Sequence, residues 1–262
     1  MKSVERALEI RKGSAWKSRD PYLAFQHRLS GPRRLLALAE GSPQKPRVKL
    51  EARRLFAVAL CAAFESYWRD SVRVLVDYGG LGETPLRSLG KATFTLLDLQ
   101  EVLGRKLTLG ELAACSYTFQ SPDVANQALS DVLGFDAFSE FKSTRFQVRQ
   151  QLRRSGDRRR TRALTGITGA AILRAVPIIE QCFEVRHDTV HHVGTTFRLR
   201  REDVFRFEHA MWLFNSCMAL FLSHRAPPIR KERRSGSRSK QRRVGAVRRI
   251  GLLAFFPRRS WL

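Results

Sequence analysis

Apolar residues recur at helical spacing through most of the central part of the chain. From about residue 47 to residue 78 they follow one another three or four positions apart, and Gly79-Gly80 ends the pattern. A second segment of this kind begins at Glu202-Asp203, whose acidic side chains suit the first turn of a helix, and continues through His224. The pattern therefore predicts two long helices as the main elements of the fold.

Shorter helices are predicted between these two. Thr108, with Glu111 three residues later, begins a helix that ends near Ser116. Ser121-Pro122 begins another that ends near Leu133. The remaining predicted helices comprise residues 93–103, residues 135–151, and a segment that begins at Thr165 or Thr168 and ends at 186–191.

Strand-like alternation is rare in the sequence, and its main example, residues 195–200, is short. We therefore predict an all-α fold, a helical bundle over residues 46–224. Residues 1–45 are predicted to form a basic leader with one or two short helices, interrupted by turn signals such as Gly31-Pro32. Residues 225–262 are predicted to form a basic, largely disordered tail, because its Arg, Gly and Ser residues bury little apolar surface.

The chain is strongly basic. Its 262 residues include 48 Lys and Arg against 24 Asp and Glu, a net charge of +24. The charge is uneven, because residues 225–262 hold thirteen Lys and Arg against a single acid, Glu232, which gives that segment +12. A surface of this kind attracts polyanions, whether nucleic acid or anionic lipid.

Other features of the composition limit the class of protein. The four cysteines lie far apart in apolar segments without a C-x-x-C pair, which indicates buried thiols in a reducing compartment. The first residues lack the apolar stretch of a signal peptide, and no apolar run reaches the roughly 18 to 20 residues that span a bilayer. Phosphate-binding glycine loops are absent from the sequence. We therefore expect a cytoplasmic protein without a transmembrane segment and without a cofactor.

The candidate chemistry lies in residues 186–191, which read Arg-His-Asp-Thr-Val-His. The guanidinium of Arg186 carries a permanent charge and a planar fork of donors that suits phosphate oxygens, and His191 can accept or give a proton near neutral pH. Together they suffice for attack of a ribose 2′-hydroxyl on its own 3′-phosphate. On a regular helix the two residues lie about 140° apart around the axis, so convergence on one phosphate requires the reach of the arginine and a loosened helix end after His191.

This motif resembles the signature of the HEPN superfamily, which is Arg, then Asn, His or Asp, then three residues, then His. Arg186, His187 and His191 match it position by position. Residues 63–70, Ala-Phe-Glu-Ser-Tyr-Trp-Arg-Asp, resemble the early long helix of RiboL-PSP-type HEPN proteins, which carries an acidic residue followed by an aromatic one. The resemblance covers residues 46–224.

The resemblance implies a HEPN-like helical bundle that acts as a metal-independent endoribonuclease in a toxin–antitoxin or anti-phage defence system. In the implied mechanism Arg186 binds the scissile phosphate, and His191 activates the 2′-hydroxyl or protonates the leaving oxygen. His187 orients the site, and Glu65 is the supporting acid. The expected partners are RNA, a second copy of the chain in a symmetric dimer, and an antitoxin or other defence-system protein.

A cluster of arginines precedes this motif and flanks Gly156-Asp157. We predict that it forms a loop between helices, and we assign RNA contacts to its members. The predicted RNA-binding residues are Arg153, Arg154, Arg158, Arg159 and Arg160. A solvated loop that does not contact RNA is an equally good interpretation of this charge.

Alternative interpretations of the motif remain open. Arg186 could pair with Glu184 or Asp188 while His191 caps the last carbonyls of its helix, in a non-catalytic basic helical module that binds nucleic acid. His187 and His191, four residues apart, could bind a metal, but no H-E-x-x-H sequence and no third ligand lie nearby, so we predict no metal site. A Ser or Cys nucleophile is not indicated, since no G-x-S-x-G sequence is present.

Overall fold

The computed structural model describes residues 20–43, 45–78, 107–152, 160–191 and 198–225, together with Gln100, Gly104 and Ala254–Phe255. Within these residues the fold is mostly helical, which confirms the predicted class. The helices are α1 (Pro21–Gly41), α2 (Pro46–Tyr78), α3 (Leu109–Cys115), α4 (Pro122–Leu133), α5 (Ala137–Ser143), α6 (Gly169–Leu173), α7 (Val176–His191) and α8 (Arg201–Arg225). The strands are β1 (Arg145–Leu152), β2 (Arg160–Thr168) and β3 (Ala254–Phe255).

Helix α1 belongs to the bundle and is longer than the sequence predicted. Asp20 caps its first turn by accepting hydrogen bonds from two backbone N–H groups at 3.0 Å, but the helix does not end at Gly31-Pro32. A proline inside a helix costs about 3 kcal/mol. Burial of Phe25, Leu29 and Leu36, each worth about 1.5–3 kcal/mol, offsets that cost. The turn predicted at Gly31-Pro32 was therefore wrong, and the buried residues of α1 extend the core in front of residue 46.

Helix α2 is the central element, and α1, α3, α7 and α8 all pack against it. At about 1.5 Å per residue its 33 residues extend for about 50 Å. An aromatic cluster forms its main contact with α8: the ring of Trp68 lies 5.9 Å from that of Phe64 and 5.8 Å from that of Phe214, measured between centroids. This cluster fixes α2 in the middle of the bundle.

Two predicted helix starts are confirmed. Thr108 and Glu111 form a capping box at the start of α3, with bonds of 2.8 and 3.1 Å. Ser121 caps α4. Gly110 permits the close contact between α3 and α2, because a Cβ there would lie 2.4 Å from the carbonyl oxygen of Arg73.

A β-hairpin replaces the end of the helix predicted for residues 135–151. Helix α5 ends at Ser143, and β1 then pairs antiparallel with β2, with Arg145 opposite Thr168. The sequence contained a weak signal, since Phe146 and Val148 are separated by one polar residue and Leu152 follows at an even spacing after three more. β3 pairs parallel with β1 and gives a sheet in the order β2-β1-β3.

The segment before the motif forms two helices rather than the single helix predicted. Thr168 caps α6, as one of the two predicted starts proposed, but α6 ends at Leu173 and α7 begins at Val176. Pro177 explains the break, because a proline is tolerated in the first turn of a helix but not in its interior. Gly169 is required at the turn, since a Cβ there would lie 1.7 Å from the carbonyl oxygen of Phe141.

The predicted strand-like segment 195–200 shows no strand where it is described, at 198–200, and 195–197 lie outside the described residues. Of the helix predicted over residues 93–103, only Gln100 is described. Of the predicted tail, only Arg225, the last residue of α8, and β3 are described. In the part of the chain that is described, the helices are too short or too polar to cross a bilayer.

Candidate functional site

The motif occupies the last two turns of α7, which ends at His191. Ile179, Cys182 and Val185 form the buried face of this helix. With 100° between successive residues, Arg186 lies about 40° from Cys182, between Cys182 and Ile179 on the buried side, whereas His191 lies about 180° from Cys182. The packing of α7 on α2 therefore places the arginine at the helix–helix boundary and the histidine on the outside.

Arg186 forms an ion pair with Glu65 on α2, in which its Nη1 atom donates a hydrogen bond to the Oε1 atom of the carboxylate. The two side chains are 28% and 16% exposed, respectively, so the pair lies at the surface of the bundle and its guanidinium remains accessible. Glu65 was expected at the site only from the family resemblance. Its contact with Arg186, 121 positions along the chain, results from the packing of α2 against α7.

A pair of thiols lies one turn before this ion pair. The Sγ atoms of Cys61 and Cys182 are 3.6 Å apart, and both side chains are fully buried. Burial, strengthened by the contact with Cys182, raises the pKa of the Cys61 thiol well above its ordinary value, so Cys61 packs as a neutral thiol. Cys61 precedes Glu65 by four residues and Cys182 precedes Arg186 by four, so α2 and α7 run in the same direction through both contacts.

The contact between the two thiols beside the site was not predicted from the sequence. The signal was the matching four-residue spacing on the two helices, Cys61 to Glu65 and Cys182 to Arg186. That spacing places each thiol on the same helical face as the charged residue that follows it. The thiols therefore pack the two helices together one turn before the level at which the ion pair forms.

His187 and His191 lie together on the outer face of α7, and both are exposed. Their ring centroids are 4.6 Å apart, with an angle of 44° between the ring planes. Val190, which is 53% exposed, lies between this pair and Arg186 around the helix. Within one chain the structure thus brings the two histidines together but places Arg186 on another side of the helix.

The two local ion pairs considered for Arg186 are replaced by the contact with Glu65. Glu184 is exposed, and Asp188 is partly exposed about 200° from Arg186. Neither forms an ion pair with Arg186 among the described residues. Arg186 therefore links two helices that are distant in sequence.

The described elements on either side of the arginine cluster are the strands β1 and β2, and not helices as predicted. Arg160 is the first residue of β2. Arg153, Arg154, Arg158 and Arg159, the other predicted RNA-binding residues, lie outside the described residues. The hairpin leads directly into α6 and α7, so the arginines precede the motif by two short elements.

An open groove of about 410 Å³ lies elsewhere, between α1 and the first turns of α8. Its lining includes Leu36, Phe56 and Phe205, together with the ion pair between Arg33 and Glu208. None of the motif residues contributes to it. Across the described part of the chain, no three His, Cys, Asp or Glu side chains are grouped so that they could hold a metal ion.

Comparison of the chain with protein-family models, with curated proteins and with solved structures found no match.

Proposed function

We propose that this protein is a metal-independent endoribonuclease of the HEPN type. The observation that carries the proposal is the position of the three motif residues at the end of α7. Arg186 is oriented by Glu65 at the surface of the bundle, while His187 and His191 are exposed on the last two turns. An arginine that can bind phosphate and a histidine that can transfer a proton are thus both accessible near the end of α7.

In the proposed reaction the 2′-oxygen of a ribose attacks the adjacent phosphorus, and the bond from phosphorus to the 5′-oxygen of the next nucleotide breaks. One proton must leave the 2′-hydroxyl and another must reach the leaving 5′-oxygen; His191 carries out one of these transfers and water the other. Arg186 stabilises the extra negative charge on the phosphoryl oxygens. The products end in a 2′,3′-cyclic phosphate and a 5′-hydroxyl.

Glu65 and His187 are positioning residues in this proposal. A guanidinium has five N–H donors, and the bond to Glu65 uses Nη1, so further donors are available to a phosphate. The carboxylate holds the arginine side chain in one orientation before RNA binds. His187 packs against the ring of His191 and limits its rotation.

The 140° between Arg186 and His191 favours a dimer as the active form. A symmetric pair of α7 helices would place the Arg186 of one copy beside the His191 of the other, with Val190 as an apolar contact. Each active site would then contain the arginine that binds phosphate from one chain and the histidine that transfers a proton from the other. A homodimer is therefore part of the proposal.

RNA binding is proposed to depend on charge over a wider surface. The net charge of +24 favours a polyanion, and the arginines from Arg153 to Arg160 lead into the elements that carry the site. The +12 of residues 225–262 adds affinity without base-specific contacts. We place the protein in the cytoplasm as a toxin or anti-phage effector, controlled by an antitoxin or a defence-system partner.

A second function is favoured by the ion pair itself. An arginine that joins two helices through a carboxylate has a structural role whether or not it also binds phosphate. On this alternative the chain is a non-catalytic basic helical module that binds nucleic acid. The two functions differ in whether RNA is cut.

The test is RNA cleavage in excess EDTA by the wild type and by Arg186→Lys. We expect the wild type to cleave without metal, since an arginine–histidine site needs none for charge stabilisation. The lysine keeps the charge but loses the planar fork, so cleavage should fall by about 10²-fold. Arg206→Lys, which alters another arginine between α8 and α7, should cleave as the wild type does. Full cleavage by Arg186→Lys would contradict phosphate binding by Arg186, and bound but uncut RNA would favour the second function.

A further inference from the structure

The two exposed histidines of α7 form a pair whose geometry has a chemical use of its own. They are separated by one helical turn, their ring centroids lie 4.6 Å apart, and their planes are inclined by 44° rather than stacked. Each ring lies on the outer face, where solvent reaches it. Two imidazoles presented in this way by a rigid helix offer two nitrogen ligands to one ion.

We propose that His187 and His191 bind a zinc ion on the surface of α7. Zinc binds histidine nitrogen at about 2.0–2.1 Å, so two nitrogens in a tetrahedral site lie about 3.3 Å apart. Ring centroids at 4.6 Å bring nitrogens on facing ring edges to this separation with small side-chain rotations. The helix therefore supplies half of a tetrahedral ligand set.

The remaining ligands of the ion would be water. In the part of the chain that is described, a third protein ligand does not join the pair. Structural zinc sites use four protein ligands, and catalytic ones generally use three. A site with two is weaker and exchanges its ion readily. Zinc bound here would be a reversible ligand and not part of the fold.

The consequence for activity rests on the proposed function. Zinc would occupy a ring nitrogen of His191, the group that we propose to move the proton in RNA cleavage. It would also hold the two rings against one another. Zinc should therefore inhibit cleavage, and chelation should restore it.

The binding test uses the full-length protein, zinc chloride and isothermal titration calorimetry at pH 7.5. We expect one zinc ion per chain, and at least a tenfold loss of affinity in both His187→Ala and His191→Ala, since each removes one of two ligands. His224→Ala, which removes an exposed histidine of α8, is the matched control and should bind as the wild type does. Zinc should raise the melting temperature of the wild type but not of the two α7 variants.

Results that overturn the inference are equally specific. Unchanged affinity in either α7 variant would show that the pair does not hold the ion. Loss of binding in His192→Ala with normal binding in His187→Ala would move the site to residues that the structure does not describe. The activity test is separate: zinc should inhibit the wild type, while any remaining cleavage by His187→Ala should be insensitive to it. Zinc that binds at the pair but activates cleavage would contradict inhibition, and zinc binding without any RNA cleavage would refute the proposed function alone.

Discussion

The two faces of α7 differ in what they do for the protein. The inner face presents Ile179, Cys182 and Val185 to α2 and the core, where all three are buried. The outer face presents His187 and His191 to solvent. The helix thus places the residues that pack against α2 on one side and the two exposed histidines on the other. Sequence changes on one face should affect stability, and those on the other should affect chemistry.

Arg186 lies on the inner side of α7 by its position around the helix, but its side chain is partly exposed. Its pairing with Glu65 joins α7 to α2, and its partial exposure leaves the guanidinium accessible. The Cys61–Cys182 contact, one turn earlier, belongs wholly to the inner face. Along the contact between α2 and α7, the buried thiols are thus followed one turn later by a half-exposed ion pair.

The largest effect on stability is expected from the inner face. Ile179→Ala removes a fully buried side chain and should lower the free energy of unfolding by about 2–5 kcal/mol. Glu184→Ala changes an exposed residue of the same helix and should alter it by less than about 0.5 kcal/mol. Chemical denaturation monitored by circular dichroism measures both. Equal effects of the two substitutions would show that the faces of α7 are not distinct.

An intermediate effect is expected at the ion pair between Arg186 and Glu65. Glu65→Gln keeps the shape of the side chain but removes its charge, and should cost about 1–2 kcal/mol, between the values for exposed and buried ion pairs. Asp203→Asn weakens the exposed pair with Arg206 and should cost at most about 1 kcal/mol.

The same Glu65 variant should reduce RNA cleavage by about 10- to 100-fold per folded molecule, because Arg186 loses its fixed orientation. Cleavage is measured at a temperature where the wild type and the Glu65→Gln variant are both fully folded. Unchanged cleavage by Glu65→Gln would leave the carboxylate with a structural role only.

The sequence predicted the elements whose signals are local. Residues 47–78 carried apolar residues at helical spacing along the whole of α2, and Thr108 with Glu111 supplied a complete capping box. Acidic residues marked the first turn of α8. These features act through neighbouring positions, so a single chain is enough to read them.

Elements that depend on distant contacts were predicted less well. Pro32 suggests a break in α1, but packing against α2 keeps the helix continuous. The apolar residues Phe146, Val148 and Leu152 formed too short a pattern to favour a strand over a helix. The strand forms because β2 pairs with it. At the site, the motif placed Arg186 and His191 on one helix, but the ion pair with Glu65 required knowledge of which helix faces α7. The closeness of the two thiols had the same origin.

The most direct test of the central claim is cleavage of a single-stranded RNA in excess EDTA by the wild type and by His191→Ala, with the product ends analysed. Because His191 is exposed, its removal should leave the melting temperature unchanged. We expect the wild type to produce 2′,3′-cyclic phosphate ends and the variant to cleave about 10²- to 10⁴-fold more slowly. His224→Ala should match the wild type. Cleavage by His191→Ala at the wild-type rate, or wild-type cleavage that stops in EDTA, would contradict a metal-independent site at the end of α7.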